Sequence, residues 1–253
     1  MAKTPILKMA WLACAAIAML SALPAQAAGQ AAEAGKALQA GEYITDKGWG
    51  RLLIKEKGGA LTFSLESTSG EDMCALDGAI DASQGVAKGS SGDPDCKVKF
   101  ASTPQGIDVS AATPKECKAF CGYNGDFEAL YLRVKKGCSR DEVDRTRTAF
   151  KRLYDGKNYQ AALTTLSPVV SNCLPVLEWE DEGAIRNDLA ITQYKNGLYA
   201  QCLSTLDKYA VDAGKDDDAV VDGWTPALAD RYLAIVRAAR TNISLCRTGA
   251  ARK

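Results

Sequence analysis

One phrase occurs twice in this chain, and it limits the second half to a helical architecture. Tyr154, Tyr159, Ala162, Leu163 and Leu166 recur 40 positions later as Tyr194, Tyr199, Cys202, Leu203 and Leu206. A glycine, Gly156 or Gly197, stands between the two tyrosines of each copy. That pattern reads as the join of a helical hairpin. The first Tyr closes helix A, the glycine breaks it, and the second Tyr opens helix B. The small residue at 162 or 202 lets the two helices approach closely.

The repeat sits behind a different kind of sequence. Residues 1–27 read as a signal peptide: Lys3 and Lys8, an apolar run over Met9–Leu23, and Pro24-Ala25-Gln26-Ala27 before a cut after Ala27. A lipid-modified Cys14 is the rival reading, but Trp11 stands where a lipobox takes Leu. Residues 28–40 are a leader, a short helix or a tether. From Gly41 the chain alternates apolar with polar: Leu52/Ile54, Leu61/Phe63/Leu65, Cys74/Leu76/Gly78/Ile80, Val98/Phe100, Ile107/Val109 and Phe127/Ala129/Tyr131. Turn chemistry separates these runs, at Lys57-Gly58-Gly59, Ser69-Gly70, Thr103-Pro104 and Asn124-Gly125. Six or seven short strands over residues 41–134 predict a small antiparallel barrel or sandwich. Lys135-Lys136-Gly137 reads as a linker to an α-helical domain over residues 138–253. There Ser139 and Glu142 form a capping box, and Val143, Thr146, Phe150 and Leu153 share one helical face. The second hairpin is expected from Ala184 to Ala210. Thr225-Pro226 opens a last helix, with Leu228, Tyr232, Ile235 and Val236 inward, ending near Cys246. The fold class is therefore α+β in two domains.

Eight cysteines remain after the signal: Cys74, Cys96, Cys117 and Cys121 in the β half, Cys138, Cys173, Cys202 and Cys246 in the helical half. An even number in an exported chain implies disulfides. The expected pairs are Cys74–Cys96 and Cys117–Cys121 in the first half, Cys138–Cys173 and Cys202–Cys246 in the second. Sequence alone does not choose among the three pairings of four cysteines.

Charge and composition narrow the function. Without Lys3 and Lys8 there are 29 basic and 31 acidic residues, a net of −2. That balance speaks against nucleic acid or an anionic membrane surface as partner. Beyond the signal, no apolar run approaches the length of a membrane span. The chain has no histidine, which removes Ser-His-Asp, Cys-His and His-ligated zinc chemistry. Carboxylate-pair hydrolysis stays open, but no catalytic constellation, metal site or cofactor motif is expected. Glu178, Glu180, Asp181 and Glu182 around Trp179, and Asp212 with Asp216-Asp217-Asp218 and Asp222, read as solvated acidic loops that lack the EF-hand pattern. The candidate partner-binding residues are Arg186, Asn187 and Asp188, expected at the start of the second helix A, and the aromatic residues Trp49, Trp179 and Trp224.

In Tyr154, Gly156, Tyr159, Ala162, Leu166 and Tyr194, Gly197, Tyr199, Cys202, Leu206 the repeat resembles the tetratricopeptide family, although its period is 40 and that family's is 34. The resemblance implies a stack of helical hairpins with a concave face for a peptide or protein. The β half is similar, at the level of fold, to the periplasmic lysozyme-inhibitor domains. The expected function is an exported, periplasmic or secreted, protein-binding module, an inhibitor or immunity-type partner of a cell-wall or envelope-attacking enzyme. The alternatives are a peptidoglycan- or glycan-binding protein using Trp49 and Trp224, and a carboxylate-type hydrolase.

Overall fold

The computed structural model describes residues 37–90 and 92–252. The signal peptide, Cys14 and most of the leader lie outside the described residues.

Eight strands close into an up-and-down barrel: β1 (Gly41–Thr45), β2 (Gly50–Lys57), β3 (Ala60–Ser69), β4 (Asp72–Asp81), β5 (Gln84–Ala87), β6 (Cys96–Ser102), β7 (Gly106–Ala111) and β8 (Ala129–Arg133). Every strand is antiparallel to the next, and β8 returns to β1 with Ile44 opposite Leu132. Closure leaves no sheet edge unpaired. The alternation read in the sequence fills the interior. Leu52 faces Leu65, which faces Leu76, and Val98, Phe100, Ile107, Val109 and Tyr131 complete the core. The barrel is thus packed solid with side chains.

Two of the eight strands escaped the sequence pattern, each for a physical reason. In β5 the inward positions are Gly85 and Ala87, because the rings of Phe63 and Phe100, edge-to-face at 5.1 Å, occupy that part of the core. A Cβ on Gly85 would lie 2.5 Å from the Phe63 ring and 2.7 Å from the Phe100 ring. In β1 the residues Tyr43, Ile44 and Thr45 are all buried, so no alternation survives.

Both expected disulfides of the barrel are corrected. The bonds are Cys74–Cys121 and Cys96–Cys117. The reason is the short helix α1 (Pro114–Cys117), which folds back on β6. Thr113 Oγ1 accepts from Lys97 N at 2.9 Å, which brings Cys117 over Cys96. Cys121, one turn further on, then meets β4.

The helical half contains α2 (Arg140–Asp155), α3 (Tyr159–Asn172), α4 (Trp179–Lys195), α5 (Tyr199–Thr205), α6 (Asp217–Val220) and α7 (Pro226–Ala251). The capping box at the start of α2 forms as expected, with Ser139 and Glu142 bonded reciprocally. In both hairpins the two tyrosine rings meet, at 5.3 Å for Tyr154–Tyr159 and 5.7 Å for Tyr194–Tyr199. Ala162 and Cys202 are fully buried at the helix crossings. The disulfides Cys138–Cys173 and Cys202–Cys246 are those expected. The last helix, α7, runs beyond Cys246 to Ala251 and packs on α4 and α5. Ile235 and Val236 face inward, while Leu228 and Tyr232 are only half-buried. The second helix A starts at Trp179, five residues before the expected Ala184, and α5 ends at Thr205, before two further 3-10 turns.

The two halves meet where the 3-10 turn Asp46–Gly48 touches the 3-10 turn Leu174–Val176. Gly48 has φ +74°, and a Cβ there would fall 2.3 Å from Glu178 N and 2.6 Å from the Leu177 carbonyl carbon. Only glycine satisfies both the left-handed backbone and the close approach.

Candidate functional site

A groove of about 890 Å³ lies between α2 and α4 in the helical half. One wall presents Asp144, Arg147, Thr148, Lys151 and Asp155, which recur at three- and four-residue spacing along the outer face of α2. Phe150 and Tyr154 extend that wall, and Asp188 and Ile191 of α4 form the other. Arg147 crosses to α4, with Nη1 donating to Asp181 Oδ1 at 2.8 Å. Lys151 pairs along its own helix with Asp155 at 2.9 Å.

Asp188 is half-buried, and among the described residues its side chain makes no hydrogen bond or ion pair. Burial pushes its carboxyl above the usual carboxylate range, against the weaker pull of Arg147 and Lys151. Tyr154 is likewise raised, by burial first and then by Tyr159 and Asp188. The groove therefore sets the Asp188 carboxylate of α4 across from a wall of α2 that carries both signs of charge and two aromatic rings, with Arg147 and Lys151 the cations that act on it.

No family model, curated protein or solved structure matches this chain.

The neighbours of Asp188 have other duties. Arg186, Asn187 and Asp188 lie mid-way along α4, a correction to their expected place at its start. Asn187 is buried between α4 and α7. Its Nδ2 donates to Gly183 O at 3.0 Å and Ile235 O at 3.2 Å, and its Oδ1 accepts from Asn242 Nδ2 at 3.1 Å. Arg186 donates from Nε to Glu182 at 2.7 Å and from Nη1 to Thr205 O at 3.0 Å, pinning the end of α5. Burial would raise Glu182, but hydrogen bonds from Lys208 and Arg186 outweigh it and hold the carboxyl below its usual range.

The acidic run is the first turn of α4, not a loop. Asp181 pairs with Arg147, Glu182 with Arg186 and Lys208, and Glu180 with Arg231. In the second acidic stretch Asp216 caps α6, Asp217 pairs with Arg237 and Arg240, and Asp212 pairs with Lys215 and accepts from the Tyr232 hydroxyl at 2.6 Å. Among the described residues no cluster of His, Cys, Asp or Glu is arranged to hold a metal ion.

Trp179 and Trp224, 45 residues apart in the chain, come together. Trp224 stacks on Tyr232 at 4.6 Å and meets Trp179 edge-on at 5.7 Å, with the Arg231 guanidinium over Trp179. Trp224 remains 39% exposed. Trp49 stands apart, half-buried beside Gly48 at the meeting of the two halves. The wall of the groove contributed by α2 was not anticipated. Its signal was the charged stripe at 144, 147, 151 and 155, opposite the apolar face of the same helix.

Proposed function

We propose that this chain is an exported protein-binding module that acts as an inhibitor or immunity-type partner of a cell-wall or envelope-attacking enzyme. Its α2–α4 groove receives an extended segment of that partner. The observation that carries the reading is Asp188. A half-buried carboxylate that draws only on the more distant charges of Arg147 and Lys151, with no direct ion pair among the described residues, costs stability, and such costs concentrate at functional sites. A lysine, arginine or amino terminus of a bound segment would neutralise it, while Arg147 and Lys151 face the segment's carboxylates or carbonyls. Four disulfides support an oxidising compartment. Among the described residues no helix is long and apolar enough to cross a membrane.

The test uses the oxidised chain as bait against envelope extract and purified secreted hydrolases, with affinities of captured proteins measured by titration calorimetry. Asp188→Asn keeps the shape and removes the charge. The expected result is roughly a tenfold weaker affinity, the scale of one lost charge-assisted contact. A partner held equally well by both forms would remove the groove from its binding site.

A second reading, glycan binding, is favoured by the exposed Trp224 ring on its Tyr232 support. It predicts retention on purified peptidoglycan that is lost in Trp224→Ala.

A further inference from the structure

The barrel carries a feature that the groove does not use. Tyr123 is 93% exposed, and its neighbour Met73 is 59% exposed. An exposed aromatic on a mobile loop is unremarkable, but the backbone under Tyr123 is fastened from every side. Cys121 is bonded to Cys74, whose side chain is in the barrel core. Gly122 N donates to Met73 O at 2.8 Å, and Gly125 N to Gly122 O at 3.0 Å, which closes a turn with Tyr123 at its tip. Asn124 N donates to Asp72 Oδ2 at 3.1 Å, Lys118 Nζ to Gly125 O at 3.3 Å, and Ser67 Oγ to Asp126 O at 2.7 Å. A Cβ on Gly122 would lie 2.3 Å from Asp72 Oδ1, so glycine is what lets Asp72 reach under the turn.

The result is a large amphipathic side chain held out on a rigid base. Ordering the loop is a cost of association that this turn has already met in the free protein. Tyrosine adds contact area at the expense of only two side-chain torsions, and it is enriched among residues that dominate binding energy. Hydrogen bonds from Asn124 N to Asp72 and from Asp126 N to Ser69 Oγ hold the turn against the β3–β4 connection that carries Glu71, so three carboxylates, of Glu71, Asp72 and Asp126, stand beside it against the single ammonium of Lys118. Such a collar repels nucleic acid and anionic lipid surfaces and attracts a cationic protein.

We propose that the Cys121–Asp126 turn is a docking point for a cationic protein, which takes Tyr123 into a cleft while its basic rim faces Glu71, Asp72 and Asp126. This surface is separate from the α2–α4 groove and is carried by different residues.

The experiment places the photoreactive residue p-benzoylphenylalanine at position 123 of the full oxidised chain. The same residue at position 211 is the control, because Val211 is 74% exposed on the helical half. Both proteins are irradiated with envelope extract of the host and with anionic phospholipid vesicles. The expected result is one strongly basic protein joined at 123 and not at 211. Once that protein is purified, Tyr123→Ala weakens its binding tenfold or more, and Glu71→Lys weakens it severalfold and flattens the salt dependence. Both variants keep the wild-type melting temperature, since neither side chain supports the fold. Adducts at 123 no different from those at 211, adducts with lipid or with an acidic protein, or an affinity unchanged in Tyr123→Ala would each overturn the proposal. Titrating Asp188→Asn against the same partner separates the two surfaces. Loss in one variant alone assigns the partner to that surface alone.

Discussion

Lys157→Gly should make this protein more stable. In the second hairpin the residue that turns left-handed after helix A is Gly197, at φ +72°. At the equivalent place in the first hairpin stands Lys157, at φ +61°, while Gly156 sits one position early with φ −75°. A side chain in that region costs about 1–2 kcal/mol through the approach of Cβ to the following carbonyl. Glycine removes this cost and returns about 0.4–1 kcal/mol of it as greater freedom of the unfolded chain. Lys157 is exposed, so little packing is lost. The net gain is about 0.5–1 kcal/mol, or roughly 1–4 °C in melting temperature for a chain of this size. The assay is thermal unfolding followed by circular dichroism, with all disulfides oxidised. Gly156→Ala is the control, expected to give no gain and a loss of no more than about 1 kcal/mol, because its φ already suits any residue while its Cβ would lie 3.2 Å from Arg152 O. A Lys157→Gly protein that melted at or below wild type would refute the reasoning, and with it the assignment of the left-handed position.

Three other changes follow from the geometry. Gly48→Ala should lower stability by roughly 2–4 kcal/mol, since backbone on both sides of the meeting of the two halves must move; a urea midpoint equal to wild type would show that the contact is soft. Asn187→Ala should cost about 2–3 kcal/mol because Asn242 Nδ2 loses a buried acceptor, and hydrogen exchange should speed up first where α4 meets α7. Asp188 has a folded pKa above its unfolded value near 4, so its ionisation opposes folding, and stability falls as pH rises through that window. Asp188→Asn should therefore melt higher than wild type at pH 7, with the difference closing as pH drops below about 4. A constant difference across that range would mean that the carboxyl is not the cause.

The fold was legible wherever burial was one-sided. Strands such as β3 and β4 have one face in the core and one in water, and their alternation announced them. β1 is covered on both sides, β5 turns Gly85 and Ala87 inward under two phenylalanine rings, and neither leaves a period-2 trace. The hairpins were legible because the Tyr-Tyr join is local. The acids around Trp179 were not, because their partners Arg147, Lys208 and Arg231 arrive from other helices. For the same reason Asn187 reads in the sequence as a partner-binding candidate, whereas Ile235 and Asn242 of α7 take up its hydrogen bonds. Asp188 was picked out by sequence as a candidate, but the wall it faces comes from α2, and only the packing of the hairpins joins the two.

The order of the cysteine bonds bears on how the chain is made. In the helical half they close one after another, Cys138 with Cys173 and then Cys202 with Cys246. In the barrel one bond lies inside the other, Cys96–Cys117 within Cys74–Cys121. An oxidase that joins thiols as they emerge, N-terminus first, reaches Cys74 and Cys96 together and links the wrong two. The barrel must then be reshuffled through thiolate exchange, and the helices need no such correction. A host lacking its disulfide isomerase should accumulate chains whose last two bonds are native and whose first joins Cys74 to Cys96.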